Sequence, residues 1–214
     1  MKKLVSMLFC VLLAATSFAQ PIFIQDINGR PIFENTYSDV EGSPYLQPDW
    51  MRGTVKAKHN GKTYQLAKMK YDAYKDEVEY EENQKLYRFS KEITEFSTPS
   101  GLFRNGFSSI ESFTPQSFYE VLHDGNLKLL KKHFIRIVTE KPYNSATETK
   151  RFTKEETLFL WKDNKMYRLK KDKKAILELL GSKQPEIEAF IKEQKLKLSK
   201  EEDILKVVEK FETL

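Results

Sequence analysis

From Gly53 onward the chain alternates apolar and polar residues in short runs, and each run ends at a turn signal. That pattern confines the fold to paired antiparallel strands. Period-two alternation buries one sheet face, and a short turn joins only neighbours that run in opposite directions. Thr54-Val55-Lys56-Ala57-Lys58-His59 alternates and meets Asn60-Gly61, after which Thr63–Ala67 returns. Asn-Gly predicts a type I′ turn, which needs positive φ at both central positions. A second turn within Tyr71–Asp76 leads to Glu77–Glu81, and Glu82-Asn83-Gln84 turns the chain into Lys85–Phe89. Ile93 and Phe96 mark another strand. Ser117–Leu122 and Leu127–Val138 flank His123-Asp124-Gly125-Asn126, and Thr157–Trp161 and Lys165–Leu169 flank Lys162-Asp163-Asn164. Returning strands open alike at Lys62, Lys85 and Lys165, each with a tyrosine two residues later. Their spacings of 23 and 80 residues give no fixed period, which excludes a propeller or solenoid.

The period changes over residues 172–214. Asp172–Leu180 carries Ile176, Leu177, Leu179 and Leu180 and stops at Gly181, a helix-ending residue. Ser182 is placed to cap a second helix, with Pro185 in its first turn and Ile187, Phe190 and Ile191 at helical spacing. Ser199-Lys-Glu-Glu202 reads as a capping box, and Ile204, Val207, Val208 and Phe211 form the buried stripe of a third helix. The expected fold is α+β: an antiparallel meander of about 8–10 strands over residues 51–171, followed by about three amphipathic helices packed on the same sheet. Residues 20–50, punctuated by proline and glycine, read as an irregular lead-in in which Ile22–Ile24 and Pro31–Phe33 could add edge strands or plug a groove.

Residues 1–19 read as an export signal. Met1-Lys2-Lys3 is basic, Leu4–Ala15 is apolar and too short to span a bilayer comfortably, and small Ser17 and Ala19 place cleavage between Ala19 and Gln20. Cys10 suggests a lipid anchor only weakly, because Phe9 precedes it and the apolar run continues beyond it. Removing Lys2 and Lys3 from the 36 Lys and Arg leaves 34 bases against 31 acids. Removing Cys10 leaves no cysteine, which excludes disulfides, a thiol nucleophile and cysteine-ligated metal. No later segment approaches the length of a membrane helix.

Chemical motifs are sparse. His59, His123 and His133 share no ligand spacing, and Gly-x-Ser-x-Gly and phosphate-cradling loops are missing. His123-Asp124, with Ser108, Ser109 or Ser117 as a notional nucleophile, is the best acid–base candidate, although the turn reading, in which the Asp124 side chain bonds the backbone, is the favoured one. Residues 71–95 hold eight acids against four bases, without the spacing of a calcium loop; Glu77, Glu79 and Glu81 alternate and are expected to line a solvated strand face. Residues 127–154 hold eight bases against two acids, and Lys128, Lys131, Lys132 and Arg136 form a candidate patch for an anionic partner such as lipid headgroup phosphate.

Gly42-Ser-Pro-Tyr-Leu46, Trp50, Gly53-Thr-Val55, Lys70-Tyr71-Asp72 and Asp76–Tyr80 together resemble a family of exported proteins from the Bacteroidetes phylum. So do Phe118–Leu122 with Gly125, Leu129-Leu130, Glu186–Lys192, Leu196 and Glu202-Asp203. The resemblance implies a compartment and a fold, and it carries over no site residue. The expected function is a non-enzymatic periplasmic binding or scaffolding module without cofactor, whose partner is an envelope protein or lipid and not nucleic acid. Full secretion is the less favoured destination. The alternatives are a carrier of an apolar ligand in a cavity between sheet and helices, and a cryptic hydrolase.

Overall fold

A computed structural model describes residues 29–32, 37–89, 91–141, 148–169, 177 and 180–214. The expected signal, with Ala19 and Gln20, lies outside the described residues, as does most of the helix expected at 172–180; Leu177 and Leu180 are helical. The strands are β1 (Arg30–Pro31), β2 (Val40–Glu41), β3 (Met51–Ala57), β4 (Thr63–Asp72), β5 (Glu77–Glu82) and β6 (Lys85–Phe89). They continue as β7 (Ile93–Thr98), β8 (Gly101–Arg104), β9 (Tyr119–Asp124), β10 (Lys128–Glu140), β11 (Thr149–Lys162) and β12 (Lys165–Arg168). A 3₁₀ turn, Gly181–Lys183, precedes helices α1 (Gln184–Glu193) and α2 (Glu201–Glu212). The architecture is α+β in outline, mostly strand: 12 strands form one open sheet, antiparallel except where β2 runs parallel to β11.

In the strand order β1-β6-β5-β4-β3-β7-β8-β9-β10-β11-β12, strands β3–β12 depart from a simple meander once. After β6 the chain returns to the far side of β3, which sets Phe96 opposite Val55 and brings its ring to 5.1 Å from Tyr71. This placement seals Ile93 and Phe96 in the core. Among the described residues, 51–171 hold ten strands, β3–β12, within the expected range, and the lead-in adds two short ones. Pro31 sits on the edge strand β1, where a missing N–H is harmless.

The turns explain the hairpins. Asn83-Gln84 and Asp163-Asn164 have positive φ at both positions and join strands whose last pairs are Glu82–Lys85 and Lys162–Lys165, the two-residue I′ geometry. Asn60-Gly61 differs from expectation: only Gly61 has positive φ, at 67°, within a longer loop. The Asn60 side chain instead accepts from Lys62 N–H and donates to the Tyr64 hydroxyl. Between β4 and β5, Asp72 Oδ1 accepts from the N–H groups of Tyr74 and Lys75, and Asp76 takes positive φ.

Three apolar clusters follow. The first is enclosed by β3–β8 and closed by Phe118, Ile135 and Phe152, with Phe96 stacked on Phe103 at 4.6 Å. Alternation along β10 divides the other two. Leu129 faces the helices, with Ile187, Ile204, Val207, Val208 and Phe211. Leu130 faces the opposite side, with Phe107, Tyr119 and Phe159. The buried stripe of α2 is the expected one, but the capping box does not form. The N-cap is Lys200, without a side-chain cap bond, and Asp203 in the first turn accepts from Lys197 N–H at 2.8 Å. The acidic first turn, Glu201, Glu202 and Asp203, complements the helix dipole.

Gly53 marks the tightest packing in β3. A Cβ there would lie 2.3 Å from Met69 Sδ and 2.3 Å from the Ser97 carbonyl oxygen, and the carbonyl cannot swing away. Gly53→Ala is expected to destabilise by about 1–3 kcal/mol, as overpacking does, measured by urea unfolding.

Candidate functional site

The four candidate bases do not form one patch. Lys128, Lys132 and Arg136 alternate onto one face of β10 and Lys131 onto the other. Lys128 pairs with Asp124, Lys131 with Glu201 at 2.7 Å, and Arg136 with Glu155 at 3.5 Å. Lys132 is 1% exposed. Its Nζ donates to Asp76 Oδ2 at 2.8 Å, Tyr71 Oη at 3.0 Å and the Phe118 carbonyl at 3.0 Å. The rings of Tyr71, Phe113 and Tyr119 stand around it. Asp76 Oδ1 in turn accepts from the Tyr71 hydroxyl at 2.6 Å and from Phe118 N–H. Burial pushes the Lys132 pKa down, and Asp76 pulls it back up. Three acceptors match the three ammonium protons, so the group is a satisfied cation.

The acidic strand face is also not the solvated one expected. Glu79 is 4% exposed and Asp72 fully buried, because the lead-in crosses over them. Leu46 N–H donates to the Tyr71 carbonyl and Ala73 N–H to the Pro44 carbonyl, which lays Pro44–Leu46 along the end of β4. This brings the Tyr45 hydroxyl to Glu79 at 2.8 Å and the Tyr37 hydroxyl to Asp72 at 2.6 Å. Burial raises the Glu79 pKa, and the bond from Tyr45 opposes that shift. Strand alternation could not reveal a roof supplied by residues more than thirty positions away.

The acid–base candidates are dispersed. Asp124 is held by Arg104 and Lys128, whose hydrogen bonds depress its pKa. Ser108 donates to the Asn164 carbonyl, Ser117 Oγ accepts from Thr114 N–H, and Ser109 is exposed. His59 is exposed in the β3–β4 loop. Next to His123, Glu212 of α2 accepts from Leu127 N–H at 2.6 Å and from the Asn126 side chain, which fastens α2 to the β9–β10 turn.

His133 is the histidine with carboxylates on both sides. Its Nε2 lies 2.6 Å from Glu120 and its Nδ1 3.0 Å from Glu156. Beside them opens a cleft of about 550 Å³ lined by Glu111, Lys131, Glu156, Leu158, Arg168 and Glu201 among others. Arg168 pairs with both carboxylate oxygens of Glu111, at 3.0 and 3.1 Å, which leaves Glu156 as the most open charge of the cleft, its side chain 58% exposed. Such a cleft can hold polar main chain and a cationic side chain. Among the described residues, no three His, Cys, Asp or Glu side chains are grouped to hold a metal ion, and no helix is long and apolar enough to cross a membrane. Compared with protein-family models, curated proteins and solved structures, the chain matches none.

Lys132→Met removes the ammonium and leaves the half-buried Asp76 carboxylate without it; a loss of about 3 kcal/mol in urea unfolding is expected, the low end for a broken buried pair. Glu212 supplies a pH test. Burial raises its pKa, but the bonds from Leu127 and Asn126 outweigh burial and leave it below the ordinary 4.5. A depressed carboxylate contributes stability above its unfolded pKa and loses it as pH falls through the folded value. Stability should therefore fall below about pH 4.5, and Glu212→Gln should flatten that limb in acid titrations followed by circular dichroism.

Proposed function

We propose that this chain is an exported, non-enzymatic protein of the cell envelope, acting in the periplasm as a binding or scaffolding module. The observation that carries the reading is how its buried charges are used. Lys132, Asp76, Asp72 and Glu79 each accept or donate within the fold, and these bonds hold strands and loops together. Catalysis needs a group poised to exchange a proton with a substrate, and these groups are committed elsewhere. Leu129 and Leu160 of the sheet pack with Ile187, Ile204 and Val207 of the helices, in the space that an apolar cargo between sheet and helices would need. The basic start, the apolar run to Ala15 and the small residues Ser17 and Ala19 support export, as does the resemblance to exported Bacteroidetes proteins. The partner on this reading is an envelope protein or a lipid, and not nucleic acid.

Cell fractionation with N-terminal sequencing tests the compartment: the periplasmic fraction should hold protein beginning at Gln20. The purified protein should turn over no general esterase, peptidase or glycosidase substrate. Turnover abolished by His123→Ala or Asp124→Ala would overturn the non-enzymatic reading.

A further inference from the structure

β11 is paired along one whole edge and only near its ends on the other. Across its inner edge it meets β10 from Thr149 to Trp161. On its outer edge, among the described residues, β2 meets it at Lys150 and Arg151, and β12 meets it from Phe159 to Lys162, extended by Leu169 N–H donating to the Leu158 carbonyl at 2.8 Å. Among the described residues, Thr153–Thr157 therefore has no strand beside it on that edge, and Thr153, Lys154 and Glu156 are exposed. Along a strand the N–H and C=O of one residue leave toward the same edge, and the next residue's toward the other. The Leu158 carbonyl points outward to Leu169, so Glu156 and Lys154 also direct their main-chain groups outward, while Thr153, Glu155 and Thr157 direct theirs to β10.

The charged cleft sits on this stretch. Glu156–Leu158 form its floor and Arg168 and Leu169 close one end. Glu111 stands on one wall, and Lys131 with Glu201 on the other. Lining residues from both faces of the sheet describe a slot along its rim.

The geometry points to this slot as a site that accepts an extended peptide as an added strand, from a partner segment with a basic side chain beside Glu156. The inference rests on the binding-module reading and gives it a site and a partner chemistry. Two observations select the occupant. Length excludes a second copy of β11: that strand has 14 residues, and antiparallel or parallel it would run into β12 or β2, whereas a short segment whose ends lift away fits. Charge selects the side chain: Glu111–Arg168 and Lys131–Glu201 pair off, and Glu156 remains open with His133 behind it. The charges at Lys154–Glu156 also discourage indiscriminate edge pairing, while main-chain bonds and alternate side chains can select one peptide.

The test is a titration of the ¹⁵N-labelled protein with a blocked hexapeptide alternating threonine and lysine, followed by amide hydrogen exchange. Binding should slow exchange at Lys154 or Glu156 and leave Thr153, Glu155 and Thr157, already bonded to β10, unchanged. N-methylation of the peptide amides that face β11 should weaken binding about tenfold, the loss of one or two hydrogen bonds. A threonine–glutamate peptide should bind more weakly, and Glu156→Lys should invert that preference. The inference is overturned if the Lys154 and Glu156 amides are as protected in the free protein as their neighbours. It is also overturned if no peptide binds, if the exchange changes do not alternate, or if the N-methylated peptide binds as well as its parent. A protein that ignores every peptide yet cross-links to an envelope protein through another surface loses the slot and keeps the binding-module reading. Hydrolase turnover would remove that reading and leave the peptide result standing.

Discussion

The ammonium of Lys132, sealed among three aromatic rings, decides where the longest hairpin can lie. It joins three parts of the chain that are far apart in sequence: β10, the β4–β5 turn through Asp76, and the entry to β9 through the Phe118 carbonyl. An exposed pair of this kind would contribute little. A buried one is tolerable only when every proton has an acceptor, and Asp76, Tyr71 and Phe118 supply all three. Their positions are therefore coupled. Asp76 must hold positive φ to present its carboxylate, and Tyr71 must lie inside the first core to bridge acid and base. With β10 fixed there, Ile135 N–H meets the Ala73 carbonyl, and Ile135 and Phe152 close the first core. Farther along the same hairpin, toward its β9 end, Leu129 and Leu160 meet the helices.

Local rules made much of this legible. Turn residues located the hairpins because positive φ is a property of two or three residues and their immediate neighbours. The stripe Ile204, Val207, Val208 and Phe211 was legible because helical period depends on spacing alone. What escaped was decided by distant chain. Lys132 sits among Lys128, Lys131 and Arg136 in sequence, and only the fold shows that Asp76, Tyr71 and Phe118 cover it while Lys128 and Arg136, on the same strand face, stay near the surface. Glu79 alternates like its exposed neighbours until Tyr45 arrives from the lead-in. The return of β7 to β3 depended on where Phe96 could be buried with Tyr71 and Phe103, a three-body packing decision that hairpin signals do not encode. Ser199 and Glu202 had the spacing of a cap, but the helix starts from Lys200, and the bond that forms ties Asp203 to the Lys197 amide ahead of it.

The same interior commitments bear on where this molecule can meet others. The groups with the chemistry to do something, the buried lysine, the two sealed acids and the bracketed histidine, are tied by strands and loops that would have to part before a ligand could reach the first three. His133 alone lies beside an open space, and it touches that space through Glu156. Recognition is thus displaced outward from the cores to the rim, where β11 outlasts β12 and both faces of the sheet contribute charge. A long strand flanked by a short one has, among the described residues, a stretch of its edge with no strand beside it. Burial of Leu158 and Leu169 at one end and the β2 pairing at the other fix the length of that opening. The length mismatch between β11, with 14 residues, and β12, with 4, is what creates the slot, and the reach of the hairpin to Ile135 and Phe152 that closes the first core carries β11 past the end of β12.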